Sequence, residues 1–97
     1  MNTTDLAKSA SSDESPPSGL SAPAEAMWLA KAGRWEEAHE FCQKIPGNAG
    51  AWIHAYLHRE EGDPSNAAYW YGRAEKPVPD SSISLEEEWI QIAAALI

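Results

Sequence analysis

The chain is poor in cysteine, in phenylalanine and in basic residues: one Cys, one Phe, and seven Lys and Arg against fifteen Asp and Glu in 97 residues. With Cys42 alone, no intrachain disulfide and no thiolate metal cluster can form. The scarcity of cations excludes a second class. Nucleic-acid binding requires clustered Lys and Arg to displace phosphate counterions, whereas Lys8, Lys31, Arg34, Lys44, Arg59, Arg73 and Lys76 are scattered and the net charge is −8. An anionic membrane surface is disfavoured for the same reason. No apolar run approaches the roughly 20 residues that cross a bilayer. There is no strand pattern and no Gly-rich phosphate loop. Serines gather in the N-terminal segment and at 81–84, where nothing presents a nucleophile rigidly. The expectation is a soluble, cytoplasmic, non-enzymatic protein that needs no cofactor and binds neither nucleic acid nor membrane.

Residues 1–21, MNTTDLAKSASSDESPPSGLS, contain two leucines and no aromatic side chain. Such a segment buries little apolar surface against a backbone ordering cost of about 1–2 kcal/mol per residue. It reads as a disordered tail, and without a basic start or an apolar core it does not read as a signal peptide. Residues 22–97 hold all five tryptophans and all three tyrosines, and are expected to form the folded domain. Each buried aromatic matters in so small a core.

Five helices follow from the pattern. The first spans about 22–32, with Ser21 as N-cap, Pro23 in its first turn and Gly33 at its end. The second, about 35–45, places Trp35, Ala38, Phe41 or Cys42, and Ile45 on one face, and Ile45-Pro46-Gly47 stops it. Cys42 on that face reads as a buried, inert thiol. The third, about 49–61, ends at Gly62 as a left-handed cap. Asp63 and Pro64 start the fourth, about 64–75. Ser84 and Glu87 form a capping box for a fifth, about 85–97.

Aligning Gly33 with Gly62 superposes Ala38 on Ala67, Cys42 on Tyr71 and Ile45 on Ala74, an offset of 29 residues. The grammar is that of two tandem antiparallel helical hairpins followed by a capping helix, an all-α architecture. Gly62, Ala67, Tyr71, Ala74 and Pro79 resemble the tetratricopeptide repeat, with a closer match in the second hairpin than in the first and a period shorter than the family's usual 34 or so. The string HAYLHREEGDPSNAAYWYGRA is also similar to one in small bacterial proteins of unknown function. The tetratricopeptide resemblance implies a protein-interaction module that takes a peptide or protein partner in a concave groove lined by the first helix of each hairpin. That would present Trp28, Lys31, His54 and His58.

Tyr69, Trp70 and Tyr71 fan over about 200° of helix, so they cannot all face one partner. Trp70 and Tyr71 are expected in the core. Tyr69 is then either packed against a neighbouring helix or left for a partner, since Tyr and Trp dominate binding hot spots. The fifth helix is apolar beyond Gln91. Trp89 and Ile92 are expected against the fourth helix, while Leu96 and Ile97 cover the hairpin groove or a second copy of the chain, making the C-terminal helix a candidate homo-oligomer contact.

His54 and His58, at i and i+4, share a helix face. Ala55 stands where a zincin has its glutamate, which excludes a metalloprotease. Two readings remain open, a pair of histidines satisfied within the packing or a metal- or small-ligand site centred on His54 and His58. In the second, Glu61, Asp63 or His39 would supply further ligands.

Overall fold

The computed structural model describes residues 1–96 and contains six helices: α1 (Thr3–Ser12), α2 (Ala22–Lys31), α3 (Trp35–Cys42), α4 (Gly47–Glu61), α5 (Pro64–Ala74) and α6 (Leu85–Leu96). No strand occurs among the described residues, so the all-α class is established.

The largest departure from the sequence expectation is α1. The N-terminal segment is ordered, capped by Asn2, whose side chain accepts from the Asp5 amide at 2.8 Å. Leu6, Ser9 and Ala10 are buried at i, i+3 and i+4, a narrow stripe that lies on α2 and α6. Ser9 Oγ accepts from Trp28 Nε1 at 3.0 Å, satisfying a buried indole. The connection to α2 is also held. Arg34 donates to the Glu14 carbonyl at 3.0 Å while clasping Glu37 with two bonds of 2.8 and 2.7 Å, and Leu20 packs against the core. Low apolar content misled the sequence reading because small side chains at helical spacing let one leucine seat deeply.

The next four helices form close to where their punctuation puts them, except that α3 ends at Cys42 rather than near 45, and α4 starts at Gly47, which the sequence pattern assigns to the stop. Ser21 caps α2 by accepting from the Ala24 amide at 3.3 Å, and Gly33 ends it with a left-handed φ of 78°. Asp63 caps α5 by accepting from the Asn66 amide at 3.2 Å, directly after the left-handed Gly62. Helix α2 packs on α3, and α4 packs on α5, each pair joined through its glycine. Gly50 lets the start of α4 pack against the turn that follows α3. A Cβ there would stand 2.0 Å from the Ile45 carbonyl oxygen.

Helix α6 begins with the expected capping box, in which the Ser84 amide donates to Glu87 and the Glu87 amide to Ser84 Oγ. Its backbone packs on α2 and α4, while α5 reaches it through the Tyr71 side chain. Trp89 Nε1 donates to the Met27 carbonyl at 2.9 Å, and Ile92 joins the same core as Trp28, Ile53 and Leu57. Leu96 is half-buried against that core, whereas the expectation for Ile97 lies outside the described residues. A smaller second core consists of Ala55, Ala67 and Tyr71, with Trp52 and Trp70 at its edge. Of the expected core pair only Tyr71 is fully buried; Trp70 is partly buried at the core's edge.

Candidate functional site

Two i,i+4 pairs face each other across the α3–α4 interface. On α3, Trp35 and His39 stack with ring centroids 4.8 Å apart, and on α4 His54 and His58 stack at the same centroid distance. This is the one-turn spacing that puts side chains on a common face. The packing of α3 on α4 brings the faces together, so that all three histidines of the chain converge. His39 Nε2 lies 2.9 Å from His54 Nε2, a contact in which one ring donates and the other accepts. One ring nitrogen of each histidine lies within 4.8 Å of the others.

Aromatic rings wall the cluster. Trp70 stacks on His54 at 3.9 Å, and Trp35 meets His58 edge-on at 5.9 Å while its Nε1 donates to the Leu57 carbonyl. His58 Nδ1 bonds Glu61 Oε1 at 2.6 Å. Burial, reinforced by the neighbouring histidines, pushes the His54 imidazole down to about 4, and burial also holds His39 below its ordinary value. Both shifts favour the neutral rings around pH 7; in the Nε2–Nε2 contact one ring carries the shared proton and the other accepts it with its lone pair.

A cleft of about 530 Å3 opens beside the cluster between the end of α3, the start of α4 and the outer face of α5; Cys42, Ile45, Gly50, His54, Trp70 and Arg73 line it. Arg73 reaches over Tyr69 and Trp70, with its guanidinium carbon 5.9 and 5.6 Å from their ring centroids, and donates to the Tyr69 hydroxyl at 2.9 Å. Tyr69 is 55% exposed. Cys42 is not a reactive group. Burial pushes its thiol up to about 12, and Sγ donates to the His39 carbonyl at 3.2 Å.

The residues expected to line one groove are thus divided. His54, His58 and Tyr69 lie on the α3–α4–α5 side. Trp28 is completely buried, facing Ser9 beneath α1, and cannot meet a ligand. Lys31 is exposed with its Nζ 5.3 Å from the Trp89 ring, and lines a separate cleft with Thr3, Thr4 and Lys8. Of the auxiliary residues, His39 joins His54 and His58, whereas Asp63 groups with His58 and Glu61 at the far end of α4. Sequence reasoning did not place Trp70 and Arg73 at a site, although the consecutive aromatic run on α5 signalled that one ring would be left outside the core.

Comparison of the chain with protein-family models, with curated proteins and with solved structures found no match.

Proposed function

We propose that this chain is a non-enzymatic interaction module, tetratricopeptide-like in design, that binds a peptide or protein segment in the cleft beside α5. The observation that carries the reading is the Tyr69–Trp70–Arg73 surface. In a chain of net charge −8, an arginine stands over two aromatic rings at the mouth of an open cleft, and no ion pair engages it among the described residues. Arg and aromatic residues are the types that anchor interfaces, because one side chain supplies both area and a directed hydrogen bond. A partner segment with a carboxylate beside an apolar or aromatic side chain fits this chemistry.

Two further observations agree with the design. Both helix pairs turn on a left-handed glycine, at Gly33 and Gly62, and the small residues Ala38, Ala55 and Ala67 are buried between helices. No helix among the described residues is long and apolar enough to cross a membrane. In this reading the protein works in the cytoplasm, and a second copy of the chain is one eligible partner, with exposed Ile90 on α6 as its contact.

The test is a peptide-library selection on the full chain, followed by titration of the enriched peptides against Arg73→Glu and Tyr69→Ala. Both positions are exposed, so both variants keep the fold. Acidic–aromatic peptides that lose at least about tenfold in affinity to either variant support the reading, a loss of roughly 1.4 kcal/mol. Enrichment of peptides indifferent to both substitutions overturns it.

A further inference from the structure

The three-histidine cluster carries a second inference, independent of the partner cleft. We propose that His39, His54 and His58 bind a divalent late first-row transition metal of the zinc class, leaving a coordination position toward the cleft that His54 lines.

Geometry and donor chemistry support it together. Three imidazoles around a tetrahedral ion at about 2.0–2.1 Å stand about 3.3–3.4 Å apart, nitrogen to nitrogen. Here one pair stands at 2.9 Å and all three lie within 4.8 Å, so rotamer shifts of about an ångström close the site. The rings are held near that arrangement by the Trp35 and Trp70 stacks, not by loops. His58 has the outer partner that metal-bound histidines have: with Nδ1 engaged by Glu61 Oε1 at 2.6 Å, Nε2 is the nitrogen left for an ion. Imidazole donors suit zinc, cobalt, nickel and copper, whereas calcium and magnesium require an oxygen cage. The shared proton of the His39–His54 pair presents no obstacle. The ring that carries it tautomerises to Nδ1–H and presents Nε2 to the ion, so neutral rings coordinate without releasing a proton to solvent. The buried Cys42 thiol, engaged with the His39 carbonyl, is not a ligand and steadies the backbone of one.

The experiment uses the full chain, stripped with chelator, and cobalt(II) as the probe. A 1:1 titration with the visible bands of low-coordinate nitrogen-ligated cobalt, reversed by zinc, is expected. His39→Gln should lower cobalt affinity at least tenfold, and Glu61→Gln about 10–100-fold, while the metal-free circular dichroism stays that of the parent. Because the chain has three histidines in all, imidazole 15N spectra of the unsubstituted protein supply a readout that survives misfolding of a variant. Zinc should shift the resonances of all three together. The proposal is overturned if cobalt gives no such bands at millimolar concentration, if His39→Gln binds as well as the parent, or if zinc moves one histidine or none. Failure here leaves the Arg73 cleft untouched, since the variants of the two tests do not overlap.

Discussion

The Tyr71 hydroxyl donates a 2.5 Å hydrogen bond to Glu88 Oε2, joining α5 to α6 through a carboxylate that is only 2% exposed. Arg59 of α4 completes the arrangement, giving NH1 to Glu88 Oε1 at 2.9 Å and NH2 to the Ile83 carbonyl. A buried carboxylate is tolerated because each of its oxygens has a donor. The same bond, after burial itself, holds the Tyr71 phenol above its ordinary value. Removing one partner strands the rest. Glu88→Ala should cost about 3–5 kcal/mol, the range for breaking a buried ion pair. Tyr71→Phe, which loses one hydrogen bond to a charged group, should cost about 1.5–3 kcal/mol. Denaturant unfolding of the two single variants and the double variant measures this; additive losses would show that the contact is not energetically coupled.

The N-terminal helix is part of the fold, and a chain starting at Ser21 should be less stable. Leu6 is fully buried and Ser9 satisfies the Trp28 indole. Leu6→Ala alone should cost about 2–5 kcal/mol, and the truncation should expose Trp28 and shift tryptophan fluorescence to the red. An unchanged melting temperature and spectrum in the truncated chain would show that α1 contributes nothing.

Elements announced by backbone chemistry were legible in the sequence. The Gly62–Asp63–Pro64 string specifies a helix end, a cap and a helix start from local sterics and hydrogen bonding, and the Ser84–Glu87 capping box does the same for α6. What was hidden depends on pairing at a distance. The seat for Leu6 exists only because α2 and α6 lie side by side, and composition cannot show that. His39 was one of three candidate auxiliaries to His54 and His58, and only the packing of α3 on α4 selects it. Trp28, which the tetratricopeptide resemblance implied would line a groove, is covered by α1. Nothing local marked Glu88 as buried, since its partners Arg59 and Tyr71 belong to other helices.

Trp70 is partly buried, packing on the edge of the smaller core and stacking on the His54 ring 3.9 Å away. Its truncation to Ala therefore should cost about 1–2 kcal/mol, well below the 3–5 or so of a fully buried tryptophan. Gly50→Ala should be the more damaging substitution at the same cleft, because the added methyl meets the Ile45 carbonyl at 2.0 Å and forces the start of α4 away from the turn that follows α3. Thermal melts order the two. A Gly50→Ala variant as stable as the parent would mean that the turn and the start of α4 separate without cost.

Stability should fall as the pH drops below the ordinary histidine range, with His54 as the principal cause. Its folded value of about 4 lies below the unfolded 6.5, so above pH 6.5 both states are neutral and the fold is fully stable. Between 6.5 and about 4 the unfolded chain takes up a proton that the folded chain refuses, so stability declines with falling pH; below 4 both states are protonated and this loss stops. His39, lowered chiefly by burial and then by His58, adds in the same direction, while Glu61 and Glu40 favour its charged form. Glu60 opposes the trend, since burial raises its carboxyl despite Lys31, and a raised carboxyl gains stability as pH falls through its own range. The loss from the histidines should appear first on acidification, because it begins at 6.5, above the carboxylate range. About 2 kcal/mol should be lost between about pH 7 and pH 4.5, measured as denaturant midpoints. His54→Gln should flatten that slope even though the variant starts less stable. An equal slope in parent and variant would mean that His54 titrates normally in the fold and that packing does not hold it neutral below pH 6.5.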